Sequence, residues 1–363
     1  MEMRIRWRIL ACLCLCGLLV WFLADAAGVR ASSGAALALC ARSVIPALFP
    51  FLILTRILLS SGAARILGIP LSPLCRLLHI RRTEAGCAVA IGFLGGFAAA
   101  GCSIDAFYRD GKLTGRQAEL LLCSWACEGP AFVIAAVGSG MLGSIEVGVL
   151  LFISLVLASL LSAIIIARFL PSDPSAPSLE KKEHTAPHGA SIFVDAVSSS
   201  VDAMLRICGF VLFFGLLQGL LSVFSLPDSL SSLLLALLEV STGCRTASAL
   251  GGAPAVLLCT LSLSALGLSA FAQLRALISP EIRLWPLALS RLLHFPLTLG
   301  IFSLLSRFLP DTVSVFEPLG NPQAWFFPFR LPKEAAFFLF LFLAVFCSEL
   351  AGSKALRKGK KKV

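Results

Sequence analysis

Charge is scarce in this chain: Asp, Glu, Lys and Arg make up 14% of its 363 residues. A water-soluble domain carries about 25% to cover its surface, so a soluble globular protein is excluded. Histidine is scarcer, with only His79, His184, His188 and His294 scattered along the chain. Thirteen cysteines are present, but no two are spaced as Cys-x-x-Cys, which argues against a metal site. Most, including Cys12, Cys14, Cys16, Cys123, Cys127, Cys208, Cys259 and Cys347, lie in apolar runs. A thiol there behaves as a small hydrophobe, not as part of a disulfide framework. There is no nucleophile elbow, no Walker loop and no pair of acids in a polar segment. These absences remove the common hydrolase and nucleotide-driven classes. No enzymatic activity, cofactor or metal is expected.

What is abundant is apolar surface: 58% of the residues are hydrophobic and the mean hydropathy is +0.93. A bilayer-crossing helix needs about 20 such residues. Eight runs qualify, near 8–24, 37–60, 118–140, 145–169, 200–225, 254–278, 284–308 and 334–351. Two more, 86–102 and 230–250, are too short, Gly-rich or polar to cross and read as re-entrant or broken segments. The expected fold is therefore an all-α polytopic membrane protein. Its first span, 8–24, follows Arg4, Arg6 and Arg8 and reads as retained rather than cleaved.

The formal charge of +10 is placed at span ends and in short loops, which favours anionic lipid headgroups over nucleic acid. Arg65, Arg76, Arg81 and Arg82, then Arg109, Lys112 and Arg116, then Lys181 and Lys182, then Arg275 and Arg283, and the tail from Lys354 to Lys362 all fall on one side. Both termini are then cytoplasmic. The organisation reads as an N-terminal span (1–36), a first unit (37–170), a cytoplasmic linker (171–199), a second unit (200–309), an external aromatic loop (310–333) and a last span with a basic tail (334–363). Each unit has a span, a Gly-rich segment, a broken span and a closing span, in opposite orientation. That is an inverted repeat, a common transporter architecture. A homo-oligomer is compatible with this reading.

Backbone that leaves the helix inside a bilayer survives only where protein or a water-filled cavity satisfies it. Two segments carry such breaks: Cys127-Glu128-Gly129-Pro130 in the first unit and Leu266 to Gln273 in the second. Glu128 at mid-span is expected to face a cavity and to suit proton coupling; the alternative leaves it in water at a helix end. Glu239 and Arg245 flank Ser241-Thr242-Gly243. Arg245 either holds a substrate carboxylate through its planar fork or pairs with Glu239 to shape the turn. Ser269 and Gln273 offer uncharged hydrogen bonds, as ligand contacts or as helix–helix glue. Asp105 is expected in a loop with Arg109, and His294 reads as structural. The candidate substrate site is thus Glu128, Gly129, Pro130, Glu239, Gly243, Arg245, Ser269 and Gln273.

Three stretches carry a family resemblance: the 20 residues from Ser43 (SVIPALFPFLILTRILLSSG), the long run from Gly92 to Gly143, and SSSVDAMLRICGFVLFFGLLQGLL with the later LLEVSTG. The most specific part is Tyr108-Arg-Asp-Gly-Lys-Leu-Thr114, followed by Glu119 and by Gly129-Pro130-Ala131-Phe132. Over most of 40–308 the chain resembles the sporulation integral membrane protein YlbJ (SpoVV) family, related to nucleoside-recognition Gate domain proteins. The resemblance implies a carrier of dipicolinic acid, a small planar organic anion, in the outer forespore membrane. Where the family tends to have Pro after Gly-Phe, Phe97 is followed by Ala98. Where it has a Ser/Asn-type pair before Pro130, this chain has Glu128-Gly129. Ser269 and Gln273 keep the family's second pattern. The alternatives are a nucleoside- or nucleobase-type carrier and a non-transporting sporulation scaffold.

Overall fold

The computed structural model describes residues 2–61, 66, 68–170, 190–222 and 227–307. The loop 310–333, the last expected span 334–351, the basic tail and most of the linker lie outside the described residues. Within them the protein is all-helical. By length and composition alone, five stretches are long and apolar enough to cross a membrane: Thr83–Arg109, which however folds back on itself, Ile145–Ala167, Ile192–Leu221, Gly252–Leu277 and Trp285–Ser306. A sixth is counted if the pair Cys12–Ala24 and Ala26–Arg42, bent by 96°, forms one span. Eight were expected. The difference lies in 334–351 and in segments that the structure divides into shorter helices.

The lipid-facing logic is clearest in Ile145–Ala167. Val149, Ile153, Leu157, Leu161 and Ile165 recur every fourth residue and are exposed, while Ser154, Ser159 and Ser162 are fully buried. Helical neighbours four apart share a face. A helix that turns its branched aliphatics outward and its hydroxyls inward is built for a bilayer, where lipid is as apolar as Leu. The inward serines donate to other groups: Ser154 Oγ to Leu150 O at 2.7 Å, and Ser162 Oγ to Ser159 O at 2.9 Å.

The N-terminal arm is Glu2–Ala24 followed by Ala26–Leu39, with Asp25 accepting from the Gly28 N–H at 3.0 Å where they meet. The expected span 37–60 instead belongs to a helix that starts at Ala26, passes a π-wound turn at Cys40–Val44 and continues as Ile45–Ser61. Ile45 N–H reaches back to Cys40 O. The next residue, Pro46, has no N–H to continue the ordinary ladder.

Thr83–Arg109 is continuous in sequence but folds back on itself at Gly96 (φ 73°, ψ −168°). A methyl group added at Gly92 would lie 2.9 Å from the Ala100 Cβ; in a straight helix those residues are roughly 12 Å apart. The segment is a helical hairpin whose legs touch. Asp228–Leu238 and Val240–Ser248 form a second hairpin. A methyl group at Gly243 would meet Ala236 Cα at 2.6 Å across it.

Each hairpin is followed by a broken helix and a closing helix. The first broken helix is Gly115–Trp125, then Ala131–Met141 with π winding; the second is Gly252–Ala265, then Gly267–Leu277. Gly115–Trp125 starts on a reciprocal cap, Thr114 Oγ1 accepting from Gln117 N–H and Gln117 Oε1 from Thr114 N–H. The closing helices Ile145–Ala167 and Trp285–Ser306 pack along each other. The units also cross. The first hairpin packs against Gly267–Leu277, and Val240–Ser248 packs against Ala131–Met141.

Candidate functional site

Both breaks are built the same way: the tip of a hairpin inserts against the non-helical turn of the broken helix that follows it. In the first unit the tip is Gly96 and the turn is Cys127–Gly129. A methyl group on Gly96 would sit 2.8 Å from the Gly129 nitrogen, and one on Gly129 would sit 3.3 Å from the Gly96 nitrogen. Positive φ and this approach together require glycine at 96. In the second unit the tip is Glu239 and the turn is Leu266–Gly267. A methyl group on Gly267 would lie 3.2 Å from Leu238 O. Leu266 takes a left-handed conformation (φ 66°) although it carries a side chain. Such strain costs about 1–3 kcal/mol and persists where surroundings enforce it, often at functional sites.

Glu239 is buried, with extended backbone, and caps Val240–Ser248. Its Oε1 accepts from Ser241 N–H at 2.9 Å and its Oε2 from Thr242 N–H at 2.7 Å. The positive end of that helix favours the carboxylate. The expected alternative, an ion pair with Arg245, is not formed among the described residues; the cap takes its place. Glu128 is half-buried at the other break, close enough to Glu239 for the two carboxylates to repel. The acids of the two breaks therefore lie within electrostatic range of each other.

The remaining expected residues separate into four groups. Gly129 and Pro130 form the turn and first helical residue of the first break. Gly243 is a packing position, pressed against Ala236 and 2.8 Å from Ser262 Oγ as measured from an added methyl group. Ser269 and Gln273 are buried one turn beyond the second break and bond each other, Gln273 Nε2 donating to Ser269 Oγ at 3.0 Å. Arg245 is exposed. It stands at a cavity of about 280 Å³, with Glu239 and Thr242 on the hairpin, Ser32 on Ala26–Leu39 and Gln218 on Ala190–Ser222.

Sequence reasoning missed Arg291. It is 6% exposed and lies on Trp285–Ser306 with no carboxylate beside it among the described residues. Its Nη2 donates to Cys123 O at 2.9 Å, at the C-terminal end of the half-helix that runs into the first break. Its Nη1 lies 3.1 Å from His294 Nδ1. His294 is fully buried. It lies 3.1 Å from Ser264 O, just before the second break, and 2.9 Å from Leu155 O and 3.0 Å from Ser159 Oγ on the closing helix. One helix thus touches the carbonyl end of both broken helices, where a cation complements the dipole. The available signal was an Arg–His pair three apart in an apolar span, since an ionisable residue inside a membrane is functional by default.

A second polar cluster sits where the two units cross. Asp105, expected in a loop, is buried in the first hairpin; it pairs with Arg109 at 2.7 Å and accepts from Ser279 N–H at 2.6 Å. Glu119, 2% exposed, takes both arms of the Arg283 fork, with Nη2 to Oε2 at 2.7 Å. Arg275 donates to Ile278, Ser279 and Ile282 carbonyls and closes the turn.

No family model matches the chain, and no solved structure matches it. It is similar to the sporulation integral membrane protein YlbJ of Bacillus subtilis (strain 168), with 28% identity over 206 residues, 52% of this chain and 50% of that protein. The match spans about half the length of that relative. With its apolar helices, this supports a multi-pass membrane protein, all-helical among the described residues. The comparison supports the resemblance carried by the motifs: over about half its length, the chain is similar to the YlbJ family of sporulation integral membrane proteins.

Proposed function

We propose that this protein is a secondary or facilitated transporter that moves a small organic solute through the junction of its two broken helices. The observation that carries the reading is the repeated hairpin-tip-to-break contact, which places a buried or half-buried acid, Glu128 or Glu239, at each break. Broken helices at matching positions are where transporters bind substrate and coupling ions. In this reading the chain has eight spans, the units 37–170 and 200–309 are inverted repeats, and both termini are cytoplasmic.

The leading substrate is a small organic anion, dipicolinic acid, moved across the outer forespore membrane during sporulation. Its support is the similarity to YlbJ together with Arg245 beside the junction. Two carboxylates at the junction would repel a dianion, so the charge must be balanced by protons or a co-bound cation. Uptake is therefore expected to rise when the donor side is acidic. A nucleoside-type solute is the second reading. It is favoured by the same two carboxylates and the Ser269–Gln273 pair, which suit hydroxyl and amide groups.

The test is uptake into proteoliposomes of radiolabelled dipicolinate, with a nucleoside panel beside it, at two external pH values. Saturable, acid-stimulated dipicolinate uptake supports the leading reading. Uptake of a nucleoside alone would replace the substrate. No uptake of either by folded protein would sink the transport reading.

A further inference from the structure

We propose that the cavity where the first hairpin meets the end of the second broken helix binds the phosphate of an anionic phospholipid headgroup. The inference goes beyond the transport reading and does not rest on it. The cavity, about 260 Å³, is lined by Arg56 on Ile45–Ser61, by Cys102, Asp105 and Arg109 on the first hairpin, by Asp110 just after it, and by Leu277 at the end of Gly267–Leu277. That is below the usual range for a whole small-molecule ligand. It suits a phosphate group whose glycerol and chains stay outside.

The charges in the lining are not all matched. Asp105 is committed twice, to Arg109 Nε at 2.7 Å and to the Ser279 N–H at 2.6 Å. Asp110 pairs with Lys112 at 2.7 Å. Arg56 has no carboxylate partner among the described residues, which makes it the surplus cation. Its Nε is buried and has no hydrogen-bond partner. A buried donor in that state is costly, and a ligand oxygen would satisfy it. Arg109 spends its Nε on Asp105 and Ser279 Oγ. Its Nη groups are left without a hydrogen-bond partner among the described residues, on a side chain that is 65% exposed. Two guanidinium groups, one half-buried and one exposed, match the oxygens of a phosphate. The neighbourhood is basic as well. Arg206 donates to Ala276 O at 3.3 Å, one residue from Leu277, and Arg275 closes the turn at Ser279. Basic pockets between membrane helices are where anionic headgroups bind. The helices that carry Arg56 and Arg206 also expose Leu54 and Leu205, so lipid chains run along both. That favours a phospholipid over free phosphate.

The site predicts effects of opposite sign for two variants. Native mass spectrometry of the full chain in a neutral detergent, titrated with phosphatidylglycerol, reads the binding. Arg56→Gln should weaken it about tenfold or more, through lost charged hydrogen bonds, and Arg56→Lys should restore part of it. Asp110→Asn takes a negative charge out of the lining and should tighten binding, by up to about fivefold. Arg168→Gln, an exposed charge outside the cavity, should leave it within about twofold. Unfolding midpoints in detergent alone check that each variant is folded. Asp110 is exposed, so Asp110→Asn decides the sign even if Arg56→Gln does not fold. Binding indifferent to Arg56→Gln, or weakened by Asp110→Asn, would overturn the site. Equal losses in Arg56→Gln and Arg168→Gln would overturn it too, since they mean diffuse attraction to a basic surface. Inorganic phosphate or glycerol phosphate displacing the lipid at equal concentration would overturn the lipid assignment.

Discussion

Arg291 puts a full positive charge among apolar helices, and its partners are neutral: the Cys123 carbonyl, the His294 ring and Ser290 Oγ. Taking an ion out of water costs several kcal/mol unless dipoles replace the solvent. Here the carbonyl end of Gly115–Trp125 does so. Arg291→Leu would leave that end without its donor. The expected loss is on the order of 2–4 kcal/mol, read as a lower midpoint in thermal unfolding of the detergent-solubilised protein. A stability equal to wild type would mean the guanidinium is not holding the break. Glu128→Gln should behave oppositely. The amide keeps the size and can sit beside Glu239 without repulsion, so stability should hold or rise slightly while acid-stimulated uptake falls. A variant transporting with unchanged pH dependence would remove Glu128 from the charge balance.

At the scale of elements, Gly96 and Gly111 both have positive φ, 73° and 68°, but only Gly96 is crowded; nothing lies within 4 Å of a methyl group at Gly111. Gly111→Ala should therefore cost about 1 kcal/mol from backbone strain alone. Gly96→Ala adds a clash with the backbone of Gly129 and should cost clearly more, separating the hairpin tip from the break. Equal midpoints for the two variants would contradict the insertion. The Glu119–Arg283 pair ties Gly115–Trp125 to the turn before Trp285–Ser306. Breaking a buried pair costs about 3–5 kcal/mol because one charge is left alone. Arg283→Met should be strongly destabilising and Glu119→Leu with Arg283→Met less so, giving a favourable coupling energy in a double-mutant cycle. Additive losses would mean the two side chains act independently.

The breaks themselves were legible in sequence. Glu128-Gly129-Pro130 in an apolar run cannot continue a helix, and Gly92 to Gly96 could only serve close packing or a turn. Less legible was the second break, where Leu266 adopts a left-handed conformation that a leucine does not announce. Arg245 and Glu239 stand six apart in a helix-like stretch and suggest a pair. The extended backbone of Glu239 sends its carboxylate to its own helix start instead. Arg291 was hidden because local sequence shows no partner for a single basic residue in an apolar span. Only the packing of Trp285–Ser306 against both broken helices gives it a task.

At the scale of the whole molecule, each hairpin packs against the other unit's broken helix, so that the acids of the two breaks lie within electrostatic range and one closing helix touches the carbonyl ends of both. Local sequence cannot encode which hairpin meets which break, because those contacts are long-range. The central claim is that this junction moves solute. The most direct test is initial-rate uptake of radiolabelled dipicolinate into proteoliposomes, with wild type and Glu128→Gln compared at equal protein incorporation and with an acidic external medium. The account predicts saturable uptake in wild type and at least an about tenfold lower rate in the variant, equivalent to about 1.4 kcal/mol. Equal rates would contradict it.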